Sequence, residues 1–339
     1  MKIELPHIAF ELTDACNLKC RYCYNIWKIP GAEHTSFNSY DKAKQTLQRA
    51  FEQADIKNVT FTGGEPFMAK RMLELALFCR MEGKTVTMIS NGTLGKEEQY
   101  KHLLKMGIRL FEFPIHSADP AVHDYITCLK GSWAKSQESI RTVMKLGGYV
   151  VPVIVVTAMN VEYIGETLDF IHSLGLRRIM MNRYNIGGAG VEHPEKVSAT
   201  PTQLRKAFAI AERKSVELGL SITSNVCSPI CLLNPQEYPH IGFGHCSDSV
   251  LRKPITIDIN GNVRVCNHSP IVAGNIYEQT LVEILYSDYV ESWRDIVPDA
   301  CVDCQWWKKC RGGCRAASEQ VGTGLSAMDP VMYLFPSSI

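Results

Sequence analysis

Thr13-Asp14-Ala15-Cys16-Asn17-Leu18-Lys19-Cys20-Arg21-Tyr22-Cys23-Tyr24 is the stretch whose reading decides the fold. Its cysteines are spaced C-x3-C-x2-C and follow directly on a strand-like segment, Ile8 to Thr13. Three thiolates on one short loop can hold three irons of a 4Fe–4S cube and leave the fourth iron without a protein ligand. An open iron can bind and reduce a small molecule. C-x2-C alone is shared by zinc knuckles and redox dithiols. A zinc site would also want a second pair close by in the chain.

Outward from that loop, residues 6 to about 220 alternate short apolar runs with amphipathic helical stretches. The expected strands are Pro6–Thr13, Asn58–Thr62, Thr85–Ser90, Leu110–His116, Val150–Ala158 and Arg178–Arg183. The expected helices are Tyr40–Gln53, Lys70–Met81, Glu97–Met106, Trp133–Leu146, Val161–Leu174 and Pro201–Leu218, the last with Thr200 as N-cap and Pro201 in its first turn. Six β/α units in series imply a parallel sheet with right-handed crossovers, a partial TIM-like barrel of the (β/α)6 kind. In such sheets functional residues collect at the C-terminal ends of the strands. After about Leu220 the helical periodicity gives way to Cys, Pro, Gly and Asn. Pro254–Cys266 reads as a β-hairpin around Asn260-Gly261. The expected division is therefore a barrel over residues 1–222 and a small α+β domain over 223–339.

Three motifs fall at expected strand ends. Thr62-Gly63-Gly64-Glu65-Pro66 ends the second strand, with two glycines that allow close backbone approach and a carboxylate on Glu65. Ser90-Asn91-Gly92 ends the third, and Arg183 ends the sixth ahead of Gly187-Gly188-Ala189-Gly190. With the cysteine triad, this set resembles the radical S-adenosylmethionine (SAM) family. The resemblance implies that Cys16, Cys20 and Cys23 hold the catalytic cluster and that SAM chelates its open iron. Reductive cleavage of SAM would give a 5′-deoxyadenosyl radical that abstracts hydrogen from substrate. It implies SAM contacts for Gly63, Gly64, Glu65, Ser90 and Asn91. Arg183 could pair with the SAM carboxylate. Glu112 and His116, four apart on one face of the fourth strand, are the candidate acid/base or substrate-contact residues.

The later cysteines carry a second pattern. Cys246 is followed by Gly261-x4-Cys266, then by Cys301-x2-Cys304-x5-Cys310-x3-Cys314. This resembles the SPASM extension of radical SAM enzymes, which holds one or two auxiliary 4Fe–4S clusters. Carried over by position, Cys246, Cys266 and Cys314 would serve the first cluster, and Cys301, Cys304 and Cys310 the second. The family pattern ends in one more cysteine soon after Asp-Pro, whereas here Asp329-Pro330-Val331 is followed by Met332. The second cluster would then keep an open iron, use Asp329 or the thioether of Met332, or fail to form. Cys227 and Cys231 are unassigned by the pattern. One could complete the first cluster, or one, such as Cys231, could return a hydrogen atom to a substrate radical. Cys79 and Cys128 read as packing residues.

Composition narrows the rest. The chain has 339 residues, 45% of them hydrophobic, and a formal net charge of +1. A near-neutral chain with no basic run is not built for nucleic acid. No apolar stretch approaches the length of a membrane span, and Met1 to Pro6 is too short for a signal peptide, so a cytoplasmic enzyme is expected. Thirteen cysteines there argue for metal rather than disulfides. SPASM relatives mostly modify peptides or proteins, which favours oxidation of a peptide residue by crosslink, thioether or dehydrogenation. Fifteen residues before Cys16 and 25 after Cys314 leave little room for a leader-gripping module. A separate peptide-recognition protein is then expected, besides an electron donor of flavodoxin or ferredoxin type. The rival substrate is a small molecule, an aminocyclitol, sugar or tetrapyrrole side chain, dehydrogenated or epimerised. A bare electron carrier would need neither the Gly-Gly-Glu-Pro run nor an open-iron triad.

Overall fold

The computed structural model describes residues 2–32, 34, 36–246, 251 and 254–335. Eleven strands form one sheet: β1 Ile3–Glu11, β2 Ala54–Thr62, β3 Thr85–Ile89, β4 Leu110–Pro114, β5 Tyr149–Val156, β6 Arg178–Arg183, β7 Ser221–Ser224, β8 Ile241–Phe243, β9 Ile255–Asp258, β10 Asn262–Arg264 and β11 Gly274–Asn275. Helices α1 Tyr40–Gln53, α2 Met72–Met81, α3 Glu97–Lys105, α4 Pro120–Thr127, α5 Ser132–Lys145, α6 Ile164–Ser173, α7 Pro194–Val197 and α8 Pro201–Leu218 connect the strands up to β7.

The sheet runs in the order β11-β10-β9-β1-β2-β3-β4-β5-β6-β7-β8 and is not closed. From β9 through β8 each pair is parallel, while β9–β10 and β10–β11 are antiparallel. The six expected β/α strands are present, and the short parallel strands β7 and β8 extend them. The boundary expected at 222/223 falls inside β7. The expected hairpin is there, with Val263 paired to Ile257 and Gly261 turning at φ +86°. Its first strand also pairs with β1, Phe10 to Ile257, so the C-terminal region is built onto the edge of the barrel sheet. A buried ion pair, Arg264 Nη2 to Glu11 Oε1 at 2.5 Å, fastens that seam.

Side chains alternate across each strand. Val86, Met88, Phe111, Phe113 and Ile154 are buried in the core, where Tyr100 of α3 meets Phe111 and Phe113 edge-on with ring centroids 5.7 and 6.2 Å apart. The opposite face is more polar. His7 Nε2 bonds Thr60 Oγ1 at 2.6 Å, Asn58 Nδ2 donates to Thr85 and Thr87, and Glu112 stands half-buried. This polar face is the inner one of the open sheet. The helix ends follow their sequence signals: α8 opens on a reciprocal Thr200–Gln203 capping box with Pro201 in its first turn and stops at Gly219, φ +62°. The helix α4 was not among the expected elements, although Asp119 caps it and Pro120 opens it.

Candidate functional site

The first cysteine loop leaves β1 and is held by the ends of its neighbours. Leu12 N–H donates to Thr62 O at 3.0 Å, Gly64 N–H to Thr13 O at 2.6 Å and Glu65 N–H to Ala15 O at 2.8 Å. A Cβ on Gly64 would stand 2.1 Å from Ala15 O, and one on Gly63, at φ +114°, 2.5 Å from Thr13 O. These glycines were expected to admit a ligand; the backbone they admit is that of the cysteine loop. Ala189 N–H, in the glycine run after β6, donates to Cys23 O at 3.0 Å, and Gly188 lies equally tight against that carbonyl. The run is therefore packed rather than loose.

Glu65 is fully buried and links two strand ends. Its carboxylate accepts from Ser90 Oγ and Asn91 N, both at 2.8 Å, and from Phe67 N at 3.1 Å. Burial raises its pKa to about 7, against the pull of those three donors. Asn91 Nδ2 donates to Asn17 Oδ1 at 2.9 Å and lies 3.9 Å from Cys16 Sγ. Asn17 in turn donates to Thr93 Oγ1 at 2.8 Å. Gly63, Gly64, Glu65, Ser90 and Asn91 thus gather beside Cys16, with Asn17 and Thr93, which sequence reading passed over, among them.

Glu112 pairs with Ile89 and Val151 across the sheet, and burial raises its carboxyl to about 7. His116 departs from expectation. The fourth strand ends at Pro114, and the His116 ring is completely buried beyond it. Nδ1 accepts from Val155 N–H at 3.3 Å, so the neutral ring carries its proton on Nε2, which bonds Tyr22 Oη at 2.8 Å. Burial, reinforced by His123, holds its pKa well below the usual value. With both nitrogens engaged, His116 props Tyr22, between Cys20 and Cys23, rather than facing a substrate.

Arg183 is a second correction. Its guanidinium donates to Asp329 Oδ2, to Cys227 O, to Ser228 Oγ at 3.1 Å and to Tyr184 O at 3.1 Å. Both members of the Arg183–Asp329 pair are fully buried. Nothing of that fork is left to form a bidentate clamp on a SAM carboxylate. Asp329 also accepts from Cys314 N–H at 2.8 Å and from Val331 N–H at 3.1 Å. One charge pair therefore ties the backbone of Cys227 to that of Cys314.

The thirteen cysteines form no disulfide. Cys227 and Cys266 pack against Cys314, Ala316 and Ala317. Burial, then the neighbouring Asp329, pushes the Cys314 thiol up to about 12, with Cys266 and Cys246 adding to it. Cys231, Cys301, Cys304 and Cys310 line another site with Trp306 and Trp307, so Cys231 stands in the C-terminal cysteine group. Cys79 is buried in α2, whereas Cys128 caps α4 in a left-handed conformation and is exposed, which corrects its reading as a packing residue.

A family model described as the Radical SAM superfamily matches residues 10–171, and one described as an iron–sulfur cluster-binding domain, SPASM, matches residues 246–314. The chain belongs to the radical SAM superfamily. It is 25% identical over 335 residues to PqqA peptide cyclase of Gluconobacter oxydans (strain 621H), a match covering 96% of this chain and 90% of that protein. It is 27% identical over 309 residues to the antilisterial bacteriocin subtilosin biosynthesis protein AlbA of Bacillus subtilis (strain 168), covering 88% of this chain and 63% of the other. Its fold matches the crystal structure of Streptococcus suis SuiB bound to precursor peptide SuiA, with a TM-score of 0.71, 17% identity, and 97% and 75% of the two chains covered.

This radical SAM/SPASM protein has donor sets that suit clusters. Cys20 and Cys23, like Cys314, have thiol pKa values raised chiefly by burial, so bare they hold their protons. Iron supplies the positive charge that turns such thiols into thiolates. Among the described residues no three His, Cys, Asp or Glu side chains converge on one ion. A cube asks for something different, because each thiolate binds its own iron and the sulfurs stand apart. Among the described residues no helix is long and apolar enough to cross a membrane.

Proposed function

We propose that this enzyme oxidatively modifies a residue of a peptide, by crosslink, thioether formation or dehydrogenation, in the maturation of a ribosomal peptide product. The observation that carries this reading is likeness across nearly the whole of both chains to a peptide cyclase, 96% of one and 90% of the other. The open sheet with its polar inner face supports it, because an extended chain can enter where a closed barrel would be filled. The cluster, when bound, supplies the electron that cleaves SAM and so the radical that takes hydrogen from substrate.

The protein's own residues divide the remaining work. Cys16, Cys20 and Cys23 hold the cluster. Gly63 and Gly64 let the SAM-side turn lie on the cysteine loop, while Glu65 fixes Ser90 and Asn91 next to Cys16. Glu112, with its raised pKa, is a titratable group of the inner face suited to hold or pass a proton near pH 7. Cys227, Cys246, Cys266 and Cys314 hold the first auxiliary cluster. A flavodoxin- or ferredoxin-type donor, a separate peptide-recognition protein and a cytoplasmic setting complete the proposal.

The test uses anaerobically reconstituted enzyme with SAM, dithionite and short candidate precursor peptides, run in deuterated water and read by mass spectrometry. The expected product is lighter by two hydrogens and carries no solvent deuterium at carbon. Turnover of a polyol or tetrapyrrole with the peptide untouched would overturn the substrate class. An isomeric product with one deuterium would overturn oxidation.

A further inference from the structure

The second auxiliary site was expected to want a ligand, because the chain has Met332 where the family pattern leads to a last cysteine. The structure brings a thiol there from elsewhere. Cys231, in the loop after β7, lines one cavity of about 500 Å³ together with Cys301, Cys304 and Cys310. Cys231 Sγ lies 3.9 Å from Met332 Sδ, across 101 residues of chain. The residue before it, Ile230, gives its N–H to Cys310 Sγ at 3.3 Å, the type of bond that tunes cluster sulfurs. Arg205 of α8 holds the same loop by its backbone, Nε to Leu232 O at 3.2 Å and Nη2 to Cys231 O at 3.4 Å.

Resting on the radical SAM/SPASM reading, we propose that Cys231 is the fourth ligand of the second auxiliary cluster, replacing in space the cysteine missing after Asp329-Pro330. The other two candidates fare worse. Asp329 spends its carboxylate on Arg183, Cys314 N–H and Val331 N–H. Met332 offers a neutral thioether where a thiolate, anionic and equally soft, is at hand. Four thiolates leave no iron open in this cube. It therefore does not bind a substrate heteroatom, and Cys231 is not a hydrogen-atom donor to the substrate radical.

The test is iron and acid-labile sulfide content with EPR of the reduced and oxidised clusters, on full-length protein reconstituted anaerobically. Wild type should hold about 12 irons, as three cubes. C231A should fall to about 8–11, through loss of one corner iron or of the whole cube. C231A/M332C should recover the wild-type count and spectrum, because the side chain of residue 332 reaches toward the removed thiol, Met332 Sδ standing 3.9 Å from Cys231 Sγ. C128A, which removes the exposed thiol capping α4, should change nothing. Wild-type iron and an unchanged spectrum in C231A overturn the proposal. So does a double variant no better than C231A, and this comparison still decides if C231A alone is insoluble. Wild-type protein that takes up no iron, or forms no 5′-deoxyadenosine, would instead refute the underlying reading, and that result appears before any substitution is made.

Discussion

The two cysteine regions of this molecule are built in opposite ways. The triad proposed to hold the catalytic cluster spans eight consecutive positions, Cys16 to Cys23, and its loop is fixed by backbone hydrogen bonds of 2.6–3.0 Å to adjoining strand ends and to the turn after β6. The cysteines proposed for the auxiliary clusters are spread from Cys227 to Cys314. Buried charge holds their segments, the Arg183–Asp329 pair tying Cys227 to Cys314 and the Glu11–Arg264 pair fastening the strand before Cys266 to β1. The triad loop is held chiefly where glycines let backbones meet, with the side chains of His116 and Asn91 set against it. A dispersed site needs particular side chains, and losing one strands its partner. The two regions should therefore fail differently.

The largest effect expected is at the triad. C16A/C20A/C23A should abolish 5′-deoxyadenosine formation outright, while keeping about 8 of the roughly 12 irons, since two auxiliary cubes remain. Iron assay and chromatography of the SAM products check this together. Loss of all iron in the triple variant would show that the regions are not independent.

Next comes the charge pair. Asp329→Ala leaves the Arg183 guanidinium buried without a counter-charge, a change that costs about 3–5 kcal/mol in comparable buried pairs. Urea unfolding should show that loss. The first auxiliary cluster should also be depleted, because Cys227 and Cys314 lose their shared tie. Normal iron and an unmoved midpoint would remove the pair from the account of the auxiliary site.

The same contrast explains what was legible in the sequence. The triad, Gly-Gly-Glu-Pro and Ser-Asn-Gly lie in short runs at strand ends, so spacing and strand periodicity locate them. Strands β1 to β6 and α8 with its Thr200–Gln203 cap could be read for the same local reason. Long-range partners could not. Nothing in the chain near Arg183 announces Asp329, 146 residues away, and period-two alternation carried His116 onto a strand that stops at Pro114. Cys231 was ambiguous because its neighbours in space, Cys301 to Cys310 and Met332, are remote in sequence. Strands β7 and β8 were missed because three- and four-residue pairs carry too little apolar pattern.

A smaller effect tests the claim that backbone approach holds the triad. Gly64→Ala puts a methyl 2.1 Å from Ala15 O, and the loop must shift to admit it. Such overpacking costs typically about 1–3 kcal/mol. The expected signature is local, with weaker uptake of the catalytic cluster and normal auxiliary iron. If the auxiliary clusters suffer equally, the cysteine loop is not held locally.

The smallest expected effect is a slope. Burial raises Glu112 from an ordinary value of 4.5 to about 7, with no charged neighbour contributing. Between those values the folded protein keeps a proton that the unfolded chain has released. The native state then binds more protons than the unfolded one, so stability falls as pH rises through the window and levels off above it. Glu112→Gln preserves the shape and removes the titration, so its urea midpoint should vary less than that of wild type between about pH 5 and about pH 7. The same variant separates two uses of the carboxyl. If it carries a proton for the substrate, peptide modification should drop while 5′-deoxyadenosine formation, which depends on the triad, continues. If only the stability slope changes, Glu112 is a half-buried acid of the barrel wall and the inner face binds its substrate without it.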